Sequence, residues 1–336
     1  MSQSIQAVDD SIFMALSMNS IAAPPRIKRS ARSALKISVL IPVYNGDRYL
    51  AECLDSVLMQ DFPEMEILIS DDNSNDGSRE LIAGYAARDS RIRWWKNPRR
   101  VGLTANSNIC LRAATGEYIK FVHQDDKLLS PSALRKYAAV LDAHPTVVLA
   151  SSRYHITGKK TPSAVFRFHA SLCDGRRMIL NCFENNNNLI GPPSLAMFRR
   201  VLAQRGFDER FEGGMDFEMW CHLLQQGDYV HLHEPLATWR VHPNQQTAQD
   251  RRAGTQDPDP LLLMETYYAE PWLRKAASNR LLFIQSYYLQ KKFGTFAGDL
   301  TDQMMARLPR HHYAWQWLKH KTSKPILNLG RKLAPR

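Results

Sequence analysis

The chain has 336 residues, 44% hydrophobic and 23% charged, a balance that excludes wholesale disorder and leaves room for one large domain or two ordinary ones. No apolar run approaches the ~18 residues of a membrane helix, the early acids Asp9 and Asp10 do not read as a secretory signal, and five scattered cysteines without CxxC spacing point to a reduced compartment and away from a zinc site. The net charge of +11 is uneven: thirteen Lys/Arg against two Asp between Pro271 and Arg336 leave residues 37–270 mildly acidic, so the basic tail suggests an anionic partner.

Residues 1–35 show no sustained period and read as a flexible lead-in. Regular structure starts with Ile37-Ser-Val-Leu-Ile-Pro42, a nearly all-apolar run expected of a strand buried on both faces. Leu50, Cys53, Leu54, Val57 and Leu58 then follow at helical spacing from about Asp47. Glu66–Ser70 is a second strand ending in the polar turn Asp71-Asp-Asn-Ser-Asn-Asp-Gly77, which feeds a helix to Arg88. Ile92–Lys96 and Leu103–Ala114 make a third strand and helix. The fourth strand, Tyr118–Val122, runs into Asp125-Asp126 before Ser130-Pro131 opens another helix, and Thr146–Ser151 is a fifth strand. Such alternation predicts an α/β domain with a mostly parallel sheet. There is no GxGxxG after the first strand and no GxxxxGK[ST] motif, which removes the main signatures of a dinucleotide-dependent dehydrogenase and a P-loop NTPase. Order weakens from Arg153 to Leu189, resumes at Gly191, and gives a helix around Phe217–Leu224 and a strand over Tyr229–His233. The expected domain spans 36–245, followed by a linker over 246–262 and a basic, mainly helical extension over 263–336, helical from Met264 to about Lys292.

Adjacent carboxylates at a strand end make chemical sense beside a hard divalent cation, which takes one or two carboxylates together with substrate phosphates; an acidic helix start is the plain alternative. The blocks Ser38-Val-Leu-Ile-Pro-Val-Tyr-Asn45, Asp71–Asp76, Gly102-Leu-Thr-Ala-Asn-Ser-Asn108, Ala114-Thr-Gly-Glu-Tyr118 and Gln124-Asp125-Asp126, in this order, resemble the family-2 glycosyltransferases over roughly 37–245. The resemblance implies a GT-A-type, Rossmann-like sheet flanked by helices and an inverting transfer from a nucleotide sugar to an acceptor hydroxyl.

That resemblance assigns roles to particular residues. Pro42, Tyr44 and Asn45 would hold the base, against the alternative of an ordinary strand-to-helix turn. Asp72 would bond base or ribose, though Asp71, Asp72 and their neighbours equally suit an Asx turn. Asp125 would touch the ribose and Asp126 would hold a Mn2+ or Mg2+ ion. Arg240 would reach the diphosphate through its fork of donors, and His242 would add a metal ligand. Asp216, in Gly213-Gly-Met-Asp-Phe-Glu218, would be the general base, against the alternative of a first-turn acid favoured by the helix dipole; Glu218 is second choice. The chain departs from the family at His123 and Met215, where many relatives carry acids. The expected partners are a UDP-, GDP- or dTDP-sugar and a glycan or lipid-linked acceptor, in surface-polysaccharide assembly. The site of action is expected to be cytoplasmic, at the inner membrane face. For the tail, aromatic residues among Lys/Arg fit either an anionic membrane surface or a helical cap packed on the catalytic domain; no nucleic-acid motif is visible. Two rival readings are a sugar-1-phosphate nucleotidyltransferase, which lacks its Gly-rich loop here, and a non-catalytic glycan-binding protein.

Overall fold

The computed structural model describes residues 36–157, 172–243, 245 and 259–308. The lead-in 1–35, most of the expected linker and the last 28 residues of the tail lie outside them. The all-apolar run becomes β1 (Ile37–Val43), buried throughout, at the centre of an eight-stranded sheet of order β3-β2-β1-β4-β7-β5-β8-β6. β2 (Met65–Asp71) and β4 (Tyr118–Phe121) flank it in parallel, and β3 (Ile92–Lys96) extends β2 in parallel. The helical stripe is α1 (Asp47–Leu58), with Leu50, Cys53, Leu54 and Val57 buried. α2 (Ser78–Ala86), α3 (Leu103–Ala113) and α4 (Ala133–Ala143) complete the alternating half.

Side chains alternate across a strand, so β1 feeds two cores. Ile37, Val39, Ile41 and Val43 join α1 and α4 on one face, while Leu40 joins α3 on the other. Ser38 donates instead to Glu66 at 2.7 Å. Glu66 also accepts from the Thr115 backbone and hydroxyl and pairs with Arg93 at 3.0 Å. One nearly buried carboxylate therefore ties β1, β2, β3 and the turn before β4.

Beyond β4 the sheet turns mixed. β5 (Val147–Thr157) and β8 (Asp228–Arg240) are parallel partners, whereas β7 (Ala196–Arg199) lies antiparallel between β4 and β5, and β6 (Leu172–Cys173) lies antiparallel on β8. Lys120, in the middle of β4, is fully buried. Its ammonium donates to the Ser194 and Ala196 carbonyls and sits 4.4 Å from the Tyr137 ring centre, and burial lowers its pKa to about 7. This contact staples β4 to the approach of β7. β8 runs well beyond the expected Tyr229–His233 because a register shift around Pro235 lets the strand continue past a residue that cannot donate to the ladder.

Two other expectations are corrected. The poorly patterned stretch before Leu189 contains α5 (Gly175–Asn185), whose Met178, Ile179, Cys182 and Phe183 are buried. The tail helix begins at Asp259, inside the expected linker, and is broken into α7 (Asp259–Tyr268), α8 (Pro271–Ala276), α9 (Asn279–Phe293) and α10 (Gly298–Met305). Pro271 at the first position of α8 and the Ser278 cap of α9 mark the breaks. Leu263, Met264, Tyr267, Leu281 and Phe283 share a core with α5 and α6 (Met215–Leu224). The described tail is thus a cap packed on the domain, and among the described residues no helix is long and apolar enough to cross a membrane.

Glu66→Ala should destabilise the fold by roughly 3 kcal/mol, the cost of breaking a buried pair and orphaning its donors. Urea unfolding checks this; a loss below about 1 kcal/mol would show that the four-way tie is dispensable.

Candidate active site

A cavity of about 660 Å3 opens at the carboxyl ends of β1, β2 and β4 and reaches the start of α6. Its floor is built by loops that brace each other. The Gln124 amide donates to the Tyr44 carbonyl at 2.9 Å and accepts from the Tyr44 N–H at 2.8 Å. A Cβ on Gly46 would lie 2.5 Å from Gln124 Oε1, so the close approach needs glycine there. Asn45 takes a left-handed φ of 49°, receives the Asn75 N–H on its side chain and donates its own N–H to Ser74. Asp71 accepts from the Ser74 N–H. Asp72 is almost fully buried: it accepts from Val101 N and Asn97 Nδ2 on one oxygen and from Gly102 N on the other. Both aspartates therefore wire the turn, and Asp72 also lines the cavity with Pro42, Tyr44 and Asn45.

The carboxylate pair divides by burial. Asp126 is 3% exposed and accepts from the Arg240 backbone N–H at 2.8 Å. Burial, then the neighbouring Asp125 charge, pushes its pKa well above the usual carboxylate range, opposed by Ser194 and Arg240. Asp125 instead meets His242 on the cavity wall, Oδ2 to Nε2 at 3.0 Å. The structure brings Asp125 and His242 together, while Asp126 lines the same cavity and accepts from the Arg240 backbone. Arg240 is engaged outside the cavity. Its Nε donates to the Asp125 carbonyl, a terminal nitrogen pairs with Glu52 at 2.9 Å, and its guanidinium lies 4.4 Å over the Tyr49 ring. Those contacts hold the fork away from the cavity, which Arg240 does not line.

Among the described residues no three His, Cys, Asp or Glu side chains converge as a metal cluster. The Asp125–His242 pair still fits a cation that takes a small number of protein ligands and completes its shell with phosphate oxygens and water.

Asp216 sits in the first turn of α6, half-buried at the cavity's far wall. Burial raises its pKa to about 7, the Asp259 charge adds to this, and the Phe217 N–H opposes it. Asn188 donates to Asp216 Oδ2 at 3.3 Å. Asp259, at the start of α7, accepts from Gly213 N at 2.8 Å and from Gly214 N, so the tail helix holds the loop carrying Asp216. Glu218 is not an alternative base: it is buried, paired with Arg205 at 2.7 Å and bonded by Tyr267. Asn108 packs, bridging Phe207 and Glu209. His123 lines the cavity, and its Nε2 is buried with no hydrogen-bond partner among the described residues.

Sequence reasoning missed three contributors. Arg100, exposed, lies 4.1 Å over the Tyr44 ring and lines the cavity. Asn188 was hidden in the Asn185–Asn188 tract, and Asp259 in the expected linker. Only Arg100 carried a signal, its place two residues before the glycine of a strand-end block.

Comparison with known proteins fits this geometry. The family model described as Glycosyl transferase family 2 matches residues 38–207. Poly(ribitol-phosphate) beta-N-acetylglucosaminyltransferase TarS of Staphylococcus aureus is 30% identical over 135 residues, covering 40% of this chain and 23% of TarS. The crystal structure of S. aureus TarS 1-349 in complex with UDP-GlcNAc superposes with a TM-score of 0.59 at 19% identity, covering 84% of this chain and 79% of that one. Mannosyltransferase PcManGT from Pyrobaculum calidifontis, in complex with GDP-Man and Mn2+, gives 0.54 at 18% identity, covering 92% and 90%. At such identities the structural likenesses establish the GT-A fold alone. The chain spans 61% and 23% of the lengths of the first two curated relatives it matches.

Because the Asp216 pKa is raised above its unfolded value near 3.8, the folded chain holds an extra proton between about pH 4 and 7, and stability falls as pH rises through that window. Asp216→Asn should flatten this dependence and melt higher than wild type at pH 8, as read by thermal unfolding. An unchanged pH profile would mean that the carboxyl titrates normally.

Proposed function

The chain belongs to glycosyl transferase family 2 and is a glycosyltransferase, and on that premise we propose that it moves a sugar from a nucleotide-sugar donor to an acceptor hydroxyl with inversion. The observation that carries this reading is a single cavity with the Asp125–His242 pair on one wall and a half-buried carboxyl of raised pKa, Asp216, on another.

Asp125 and His242 would hold a divalent cation against the donor's diphosphate. Such an ion neutralises the charge that builds on the departing nucleoside diphosphate. Tyr44, backed by the Arg100 guanidinium, offers a flat face for the base, and Asp72 lines the same cavity. Pro42 and Asn45 shape that floor. Asp216 takes the proton of the acceptor hydroxyl as its oxygen bonds to the anomeric carbon from the face opposite the leaving phosphate. A carboxyl near pH 7 is well matched to this task, since it is substantially ionised at the working pH and still basic enough to accept the proton. Arg240, which does not line the cavity, positions Asp125 through its backbone carbonyl. UDP and GDP sugars, bound by the two structural neighbours, are the first donors to test. Cell-surface glycan assembly is the pathway that TarS, named for transfer to poly(ribitol-phosphate), supports. The basic surplus after Pro271 supports docking of the tail region on an anionic membrane surface.

Calorimetry with UDP, GDP and dTDP should give binding to one of them that strengthens with Mn2+. Asp125→Ala should weaken that metal-dependent binding by roughly 10–100-fold and Asp126→Ala by less. No binding to any of the three would sink the reading. Asp216→Asn should lower transfer by about 10²-fold or more with donor affinity kept, and wild-type activity should rise with pH to a plateau above about 7. Lost donor affinity in that variant would reassign Asp216 to structure.

A further inference from the structure

A second cavity, of about 240 Å3, lies behind Asp216, between α5, the loop before α6 and the tail helices α7 and α9. It meets the donor cavity at Asn187, Asn188 and Gly213, which line both. Asn188 is also the residue that donates to Asp216. A molecule seated here would direct one end past Asn188 to that carboxyl.

The lining has a definite chemistry. Phe217 and Tyr288, both half-buried, present aromatic surface, with amides of the Asn186–Asn188 tract around them. Among the described residues that line it there is no Lys or Arg; the one charged group is Asp259. The backbone N–H groups of Gly213 and Gly214, which at a helix start would suit an anion, are already bound by Asp259. Among the described residues, a phosphoryl group placed here would find no cation and would face a carboxylate. A sugar ring finds what it needs: aromatic surface for its C–H face and amides for its hydroxyls. The donor cavity differs in kind, since Arg48 and Arg100 line it.

We propose that this cavity is the acceptor subsite and that it takes an uncharged terminal sugar ring of a glycan, not a phosphate-bearing acceptor. The proposal rests on the reading of Asp216 as the base. It also gives the tail helices a part in the reaction, since Leu263, Met264 and Tyr288 close one side of the subsite.

The test uses the full chain with UDP present, on an array of neutral oligosaccharides beside phosphorylated and acidic ones. Neutral glycans should be retained, and Tyr288→Ala should weaken their binding about tenfold or more. Tyr288→Leu, which keeps the apolar bulk needed for folding, should do the same by removing the ring face. Calorimetry on each variant should find UDP affinity within about twofold of wild type. Preferred retention of phosphorylated or acidic glycans, neutral binding unmoved by both variants, or no glycan retained at all would each overturn the proposal. Failure of the wild type to bind any of UDP, GDP and dTDP would instead strike at the nucleotide-sugar reading, so the two failures are distinguishable.

Discussion

The site depends on a clamp between the ends of two strands that are far apart in sequence. Arg240 closes β8, and its backbone N–H fixes the Asp126 carboxylate while its Nε fixes the Asp125 carbonyl. Asp125 and Asp126 both line the cavity, and two residues beyond Arg240 the chain delivers His242 to Asp125. The clamp is possible because the Pro235 bulge lets β8 continue for 13 residues. A strand ending at His233 would leave Asp125 without His242 and Asp126 without the Arg240 N–H.

The two halves of the site are built differently. The donor side stands on parallel strand ends and is stiffened by side chains that satisfy backbone groups, as Gln124 does for Tyr44 and Asp72 for Val101 and Gly102. The side proposed for the acceptor stands on a Gly-Gly loop held by Asp259 from the tail. The same carboxylate raises the proton affinity of Asp216. Packing of α7 to α10 is therefore linked to both the position and the basicity of that group.

Much of the fold was legible because burial on both faces leaves an unambiguous apolar run, as at Ile37–Val43, and a one-sided helix leaves a stripe, as at Leu50–Leu58. What was not legible depends on distant contacts. Lys120 in the middle of β4 gives no hint that its ammonium will be satisfied by carbonyls 74 and 76 residues away. α5 escaped because Arg176, Arg177, Asn181 and Asn185 dilute its apolar face. The division of labour between Asp125 and Asp126, and between Arg100 and Arg240, could not be read from residue type. Each pair is chemically alike, and only distant contacts, the end of β8 for the aspartates and the Tyr44–Arg100 stack for the arginines, separate their surroundings.

The account turns on one metal position. A crystal of the full chain with UDP and Mn2+, measured for anomalous scattering at the manganese edge, tests it most directly. The account predicts a peak about 2–2.5 Å from Asp125 Oδ2 and His242 Nε2, with a diphosphate oxygen alongside. A peak on Asp126 with Asp125 and His242 still bonded to each other would contradict it.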